Sequence, residues 1–159
     1  MIEVLLADYA RPMHAQALVD LLDHYASDPA GGGAALAPGV RERLVDELAR
    51  RATAFSVLAF HDQVPVGLVN CFEGFSTFAC RPLVNVHDVV VRDGHRGRRI
   101  AQRMLACVET EARRRGACKL TLEVLSGNAS AIRAYEREGF EGYRLDPAFG
   151  TATFMQKKL

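Results

Sequence analysis

The sequence lacks the features that mark several common protein classes. It contains no tryptophan, and no apolar run approaches the roughly 20 residues that a membrane span needs. The N-terminus shows no basic region followed by an apolar one, so no secretory signal is predicted. We therefore expect a cytoplasmic protein with reduced cysteines that mostly pack in the interior and do not bind metal. Its four cysteines are Cys71, Cys80, Cys107 and Cys118.

An excess of charge of one sign is also missing. The net charge is +1, whereas a dedicated nucleic-acid binder usually has a strong basic excess. The chain is 49% hydrophobic and 25% charged, which is ordinary for a globular protein. Its 159 residues can form a core without disulfide or metal staples. We therefore expect one domain over residues 1–159 and no membrane partner.

The periodicity of apolar residues predicts an α/β protein. Helical spacing predicts helices at 12–25, 40–51, 98–115 and 129–138, and β-branched or apolar runs predict strands. The order is β-α-α-β-β-β-α-β-α-β-β, which indicates a mixed sheet flanked by helices. A tight turn is expected at 62–63, and loops at 28–33 and 75–82. The predicted strands are 2–6, 55–61, 64–72, 83–91, 119–125, 140–145 and 152–157.

The stretch from Val86 to Leu105 predicts a strand, a glycine-containing turn and the start of a helix. Backbone N–H groups at a helix N-terminus have no intrahelical partner and attract phosphate oxygens. Gly97 and Ala101 permit a close backbone approach. A solvated basic helix end has the same composition, so both interpretations stay open on this stretch alone. Four arginines surround the turn, namely Arg92, Arg96, Arg98 and Arg99.

A second stretch, from Asn128 to Phe140, predicts a short capped helix. Asn128 is typical of an N-cap, and Gly139 with Phe140 is typical of a C-terminal cap. Tyr135 lies one turn after Ile132 on the same face and could be a core tyrosine. Taken alone, each of these residues has a sufficient structural explanation.

Together the two stretches resemble the two signatures of the GNAT superfamily of N-acetyltransferases. The segment from Arg96 to Ala101 is similar to the family pattern Gln/Arg-x-x-Gly-x-Gly/Ala, with Arg99 in place of the usual glycine. An arginine is sterically acceptable there if the residue is already helical. The resemblance covers at least Leu83 to Phe140. It implies a single-domain GNAT-like fold with a central, splayed mixed sheet.

The resemblance also implies the chemistry. It predicts an acyltransferase that moves the acetyl group of acetyl-CoA, its co-substrate, to a primary amine by direct attack in a ternary complex. Tyr135 matches the family's frequent general acid, and Val89 is expected to supply the amide that polarises the thioester carbonyl. The residues expected to bind acetyl-CoA are Val89, Val90, Val91, Arg96, Gly97, Arg98, Arg99, Ile100, Ala101, Asn128, Ser130 and Tyr135.

The general base and the acceptor stay open. Asp88 is favoured as base over His87 and Glu73, and Glu123 is a weaker candidate. Strand alternation predicts that His87 and Asp88 lie on opposite faces, so that at most one faces the acceptor. By family analogy, loops 27–36 and 75–81 border the acceptor entrance. The acceptor could be an aminoglycoside, a polyamine, an amino acid, a small xenobiotic amine or a protein terminus, and a homodimer also stays open.

Two other functions compete with this one. A CoA-binding module without transfer activity would keep the phosphate-binding turn and lose the general acid, so the presence of Tyr135 weighs against it. A basic helix between Arg92 and Arg115 could instead bind nucleic acid or an acidic partner. Interspersed acids and the small net charge weigh against that function.

Overall fold

The computed structural model describes residues 1–143 and 145–159, and these form two compact units, Met1–Glu123 and Val124–Leu159. The second unit contains helix α4 (Ala129–Arg137) and a 3₁₀ turn (Pro147–Phe149). The first unit contains β1 (Ile2–Leu6), α1 (Pro12–Ser27), α2 (Pro38–Ala49), β2 (Ala54–His61), β3 (Val64–Ser76), β4 (Arg81–Val91), α3 (Ile100–Arg114) and β5 (Leu120–Leu122).

One five-stranded sheet organises the first unit. Its strands lie side by side in the order β1-β2-β3-β4-β5. The first four pair antiparallel, and β5 pairs parallel to β4. Asp62 and Gln63 both have positive φ, 48° and 69°, as the two-residue turn between β2 and β3 requires. The mixed sheet with flanking helices confirms the predicted fold class.

Helices cover both faces of this sheet. On one face, Leu18 of α1 belongs to a core cluster with Leu58, Leu68 and other buried residues of the strands. Successive strand residues point to opposite faces, so Gly67 faces the other layer. There Met104 of α3 packs so closely that a Cβ at Gly67 would lie 2.9 Å from its sulfur. The helix α3 buries an apolar stripe at helical spacing, formed by Met104, Leu105, Val108 and Ala112.

The two strands predicted near the C-terminus, at 140–145 and 152–157, are absent from the described residues. Residue 144 of the first lies outside them. Asp146 instead begins the 3₁₀ turn, and its Oδ1 accepts a hydrogen bond from the Ala148 N–H at 2.9 Å. Alternating apolar residues form a strand when one face is buried. Phe154 and Met155 are exposed, so this pattern has no core on which to pack.

No helix among the described residues is both long enough and apolar enough to cross a membrane.

Candidate active site

A β-bulge in β4 shapes the candidate site. Asn70 of β3 pairs with Asp88, but the next residue, Cys71, pairs with Val86, so His87 is an extra residue without a partner in the register. A bulge interrupts the alternation of side chains along a strand. His87 and Asp88 consequently line the same cleft. The prediction that they lie on opposite faces is therefore wrong.

Beyond the bulge, the edge of β4 that faces away from β3 pairs with no strand of the described residues, and we call it the open edge. The short strand β5 pairs with β4 only from Val84 to Val86. The next five residues of β4, 87–91, continue past the end of β5 while β4 stays paired with β3 on its other side. The strands β4 and β5 therefore separate after Val86, as expected for a splayed sheet.

The backbone polar groups of Val89 and Val91 point toward this open edge. The Arg92 N–H donates to the Val66 carbonyl at 2.9 Å, which makes Val66 and Arg92 a hydrogen-bonded pair. Such pairs alternate along an antiparallel ladder, so Val91 and Val89 direct their N–H and C=O groups away from β3. The Val91 carbonyl indeed accepts a hydrogen bond from Arg96 Nε at 3.3 Å. This edge can pair with an extended ligand that carries amide groups.

The turn that follows β4 leads into α3, whose first amides precede the intrahelical hydrogen bonds. The first intrahelical bond joins the Arg103 N–H to the Arg99 carbonyl at 3.1 Å, so the N–H groups of Ile100 and Ala101 precede it. Amides at this position, with the positive end of the helix dipole, favour an anionic group. Gly97, Arg98 and Arg99 immediately before the helix are exposed. The helix start lies where the sequence predicted it, and anion binding at this turn stays a prediction.

Arg99 has an unexpected backbone conformation. It is the N-cap residue of α3, with φ 59° and ψ 22°, in the left-handed region. The sequence-based expectation that an arginine is acceptable there depended on a right-handed helical conformation, and that condition is not met. For a residue with a Cβ, the left-handed conformation costs about 1 kcal/mol or more. This conformation explains why the family pattern has glycine at this position.

Replacing Arg99 with glycine should therefore stabilise the protein. We expect Arg99→Gly to raise the free energy of unfolding by up to about 1 kcal/mol, since glycine adopts the left-handed region without strain. The neighbouring Arg98→Gly is the matched control, because Arg98 has no positive φ. Glycine there only raises the conformational entropy of the unfolded chain, which lowers stability. Urea unfolding of both variants tests the prediction. An Arg99→Gly variant no more stable than Arg98→Gly would contradict it.

Arg96 is held beside this turn by acidic residues. Its guanidinium lies 3.1 Å from Asp93 and 3.8 Å from Asp28, which follows α1. All three side chains are at least one-third exposed, and ion pairs of this kind contribute about 0–1 kcal/mol. Replacing these two ion pairs of Arg96 with contacts to a phosphate would therefore cost little free energy.

The cleft that contains His87 and Asp88 has a volume of about 350 Å³. Its walls come from α1, the following loop and α2, and Asn70 and Phe72 of β3 line it as well. Loop 27–36 borders this cleft, through Gly31 and Leu36. Residues 75–81 do not line it, since they form the end of β3, a turn and the first residue of β4. The apolar residues from the helices and loop are Leu22, Ala26, Leu36, Leu44 and Leu48.

A chain of hydrogen bonds runs across the sheet to Asp88. Asn70 Nδ2 donates to Asp88 Oδ2 at 3.0 Å, and Ser56 Oγ donates to Asn70 Oδ1 at 2.7 Å. The Tyr9 hydroxyl lies 2.9 Å from Ser56 Oγ and is therefore the donor to it. Burial raises the pKa of Tyr9, which keeps this donor protonated. Three donors in series thus orient the carboxylate at the cleft.

The rings of Tyr25 and His87 line the cleft together with the Asp88 carboxylate. Burial raises the pKa of Tyr25, and the negative charge of Asp88 raises it further. The rings of His87 and Phe72 are nearly perpendicular, with their centroids 5.2 Å apart. The site therefore joins one carboxylate and one imidazole to an aromatic surface.

The Glu73 carboxylate forms an ion pair outside the cleft. Its carboxylate lies 3.2 Å from Arg115, which also bonds to Glu111 at 2.7 Å and lies over the Phe55 ring at 4.6 Å. Glu73 does not line the cleft. Glu123 is exposed and directly follows β5. Of the carboxylates considered from the sequence, only Asp88 lines the cleft.

In the second unit, the described contacts of α4 confirm the predicted caps. Asn128 Oδ1 accepts from the Ala131 N–H at 3.2 Å and from Ser130 Oγ at 3.2 Å. At the other end, the Gly139 N–H donates to Glu136 and the Phe140 N–H donates to Tyr135, a glycine-containing C-terminal cap. The rings of Tyr135 and Phe140 lie 5.9 Å apart.

The cysteines show no sign of a nucleophilic role. All four are free thiols. Burial raises the pKa of Cys71 to about 12 and raises that of Cys107 as well, so both stay protonated at neutral pH. The expectation of packed, reduced cysteines is confirmed for these two.

Ser56 and Asn70 escaped the sequence-based search for functional residues. Both are buried, at 1% and 3% exposure, in strands that are otherwise apolar. A single polar residue inside such a strand must find a partner, and that requirement is the signal that could have revealed them.

The open strand edge, the amide-bearing helix start and the acidic cleft lie in one compact unit, and the family match that follows defines this unit as part of an acyltransferase. Residues 15–140 match the acetyltransferase (GNAT) family. The chain belongs to this family.

Individual relatives agree with the family. Streptothricin acetyltransferase from Streptomyces lavendulae is 40% identical over 84 residues, which cover 52% of this chain and 44% of that protein. An aminoglycoside acetyltransferase from an uncultured soil metagenomic sample, solved with sisomicin, has a TM-score of 0.80 at 10% identity, covering 99% of this chain and 96% of its own. AAC(6')-Iy, solved with the bisubstrate analog CoA-S-monomethyl-acetylneamine, has a TM-score of 0.78 at 15% identity, covering 100% and 99%. At these identities, the two structures are similar to this chain in fold alone.

Proposed function

We propose that this protein is an N-acetyltransferase that moves the acetyl group of acetyl-CoA to a primary amine of a small molecule by direct attack in a ternary complex. The observation that carries the proposal is the junction of three features within one unit. The open edge at Val89 and Val91 adjoins the anion-binding start of α3, and Asp88 lies next to that edge in a cleft.

The residues of this junction fit acetyl-CoA. The amides of Ile100 and Ala101 would hold the pyrophosphate, and the side chains of Arg96, Arg98 and Arg99 would neutralise its charge. The backbone groups of Val89 and the N–H of Val91 would pair with the amides of the pantetheine arm. The side chain of Val90 is buried, and its backbone groups face β3, where it pairs with Leu68. Val90 would therefore hold this edge in place. Asn128, Ser130 and Tyr135 stay proposed contacts from the resemblance.

Asp88 would act as general base. An amine with the pKa of lysine is neutral at pH 7 in roughly one molecule in 2,500, a cost of about 4.6 kcal/mol. Removal of the ammonium proton by a carboxylate at the cleft offsets part of this cost. The oriented Asp88 is placed for that proton, directly or through water. His87 lines the same cleft and is the second candidate.

Val89 and Tyr135 would serve the other two steps. The Val89 N–H would donate to the carbonyl oxygen as it gains negative charge. The C–N bond forms, the C–S bond breaks, and the thiolate takes a proton from the Tyr135 hydroxyl. The second proton that the amine nitrogen loses returns through water to the tyrosinate, and the proton taken by the base is released to solvent. An unperturbed tyrosine and thiol have pKa values of about 10 and 8.5, so the hydroxyl donates only if it reaches the sulfur. In the net reaction, the ammonium ion and acetyl-CoA give the amide, CoA and one proton.

A small-molecule acceptor is favoured over a peptide terminus. One relative is named for streptothricin, which is a small molecule. The cleft is also near the lower end of the roughly 300–1,000 Å³ range of small-molecule sites.

Acetyl-CoA binding is the first test. Acetyl-CoA should stabilise the protein against heat, by about 2.7 kcal/mol at one hundred times its Kd. Free adenine nucleotide should stabilise it less, and duplex DNA should not. Salt-sensitive DNA binding without stabilisation by acetyl-CoA would overturn the proposal in favour of a nucleic-acid binder. Stabilisation without thiol release on any amine would favour the inactive CoA-binding module.

Tyr135→Phe tests the proton donor. We expect turnover to fall by about two orders of magnitude, because the thiolate must then leave without a positioned proton. Acetyl-CoA should stabilise the variant as well as it stabilises the wild type. Tyr143→Phe is the matched control, since Tyr143 is exposed in the same unit. Equal turnover of the two variants, measured by thiol release, would remove Tyr135 from the role of general acid.

A further inference from the structure

Apart from the end formed by Asp88, Asn70 and His87, the cleft is lined by apolar and aromatic side chains and by Gly31. Leu22, Leu36 and Leu44 represent the aliphatic lining, and Tyr25 with Phe72 adds two rings. Aliphatic side chains offer no hydrogen bond to a ligand. A charged ligand group placed against them would lose its hydration without compensation. The body of a ligand that fills this cleft must therefore be apolar.

A single carboxylate serves this cleft. Asp88 is the one acid among the described residues that line it. Two acids of the neighbouring segment are occupied elsewhere. Asp23 bonds to Arg41 at 2.6 Å and accepts the Leu36 N–H at 2.8 Å, and Asp28 accepts the Ala30 N–H at 2.8 Å. The cleft can thus neutralise one ammonium group.

The cleft is already formed by close packing of its loop. Gly31 lies so near the end of α1 that a Cβ there would come within 1.9 Å of the Tyr25 carbonyl oxygen. The N–H groups of residues 31–33 all donate to the Asp28 carbonyl, at 2.8, 3.1 and 3.0 Å. These contacts hold the loop against the helix, so the apolar walls and the single acid form a defined binding site.

We infer that the acceptor is a small amine with one positive charge and a hydrophobic body, and that amines with a second positive charge are disfavoured. This inference rests on the proposed function, since it takes the cleft as the acceptor site. The ammonium group sits at Asp88, where its proton is removed, and the hydrophobic body lies between the leucines and the rings. The apolar walls also favour the neutral, reactive form of the amine.

A matched pair of amines tests this inference. n-Hexylamine and 1,6-diaminohexane share a six-carbon chain and differ in the second ammonium group. We expect kcat/KM for n-hexylamine to exceed that for the diamine by about tenfold or more, because the second charge would lie against leucine side chains. Binding of each amine, measured by calorimetry without acetyl-CoA, should show the same preference.

A variant of the cleft wall locates the preference. Leu36→Glu adds a second carboxylate on the loop, and Leu36→Gln adds a neutral side chain of the same shape. We expect the glutamate variant to reduce the preference for n-hexylamine by about tenfold, since the second ammonium then has a partner. The glutamine variant should reduce it much less. An equal effect of both substitutions would show that the preference does not arise in this cleft.

The outcomes separate the inference from the proposed function. Acetyl transfer with the diamine equal or preferred would overturn the inference and leave the function intact. Selective binding of n-hexylamine without transfer to any amine would support the ligand class and overturn the function. Failure of both amines to bind and to react would overturn the inference, while acetyl-CoA binding would still be judged by its own test.

Discussion

Asp88→Asn is expected to lower kcat/KM for the acceptor by about two to four orders of magnitude, the usual contribution of a general base. Asparagine has nearly the same shape as aspartate, and its side-chain oxygen can still accept the hydrogen bond from Asn70 Nδ2. The substitution thus removes the charge and the proton acceptor but keeps the packing of the cleft. Steady-state thiol release, with urea unfolding on the same samples, measures the loss and excludes a folding defect.

Glu73→Gln is the matched comparison, because Glu73 was the next carboxylate proposed from the sequence, ahead of Glu123. Its pairing with Arg115 and its position outside the cleft lead us to expect less than about a threefold change in kcat/KM, far below the effect of a general base. A larger loss for Glu73→Gln than for Asp88→Asn would reverse the assignment. An Asp88→Asn variant that keeps wild-type turnover would transfer the role to His87 or to water.

Features that depend on local sequence were predictable from it. The cap at Asn128 needs a side chain that reaches an amide three residues later, and the cap at Gly139 needs a residue that tolerates positive φ. The turn at 62–63 depends on an equally short segment. Such features were confirmed because the residues that decide them are neighbours in the chain.

Features that depend on strand register were not predictable. The bulge at His87 exists only relative to β3, where Asn70 and Cys71 pair with residues two apart in β4. The alternation of side chains along β4 alone therefore led to the wrong prediction that His87 and Asp88 lie on opposite faces. The hydrogen bond from Ser56 to Asn70 likewise joins two strands and needs their register. Arg99 shows the same limit for backbone conformation, since its left-handed φ is decided by the turn before it.

The largest expected loss of stability follows from Glu111. This side chain is 5% exposed on α3 and lies 2.7 Å from Arg114 and 2.7 Å from Arg115, which is itself 16% exposed. The hydrogen bond from Arg114 and then that from Arg115 lower the pKa of Glu111 to about 2, against burial that raises it. Breaking a buried pair leaves an uncompensated charge and costs about 3–5 kcal/mol. Because Arg115 keeps Glu73 as a partner, we expect about 3 kcal/mol for Glu111→Gln.

The pH dependence follows from the same pKa. A carboxyl group with a pKa lowered on folding from 4.5 to about 2 stabilises the protein above pH 4.5, and this contribution is lost as the pH falls toward 2. The contribution is about 2–3 kcal/mol, with allowance for the exposure of Arg114.

Urea unfolding at two pH values tests this contribution. The gap in free energy of unfolding between wild type and Glu111→Gln should narrow by about 2–3 kcal/mol between pH 6 and pH 2. Glu109→Gln, which breaks an exposed pair with Arg113 on the same helix, should change stability by less than about 0.5 kcal/mol at either pH. A gap that stays constant with pH would show that Glu111 stabilises the fold through its shape and not through its charge.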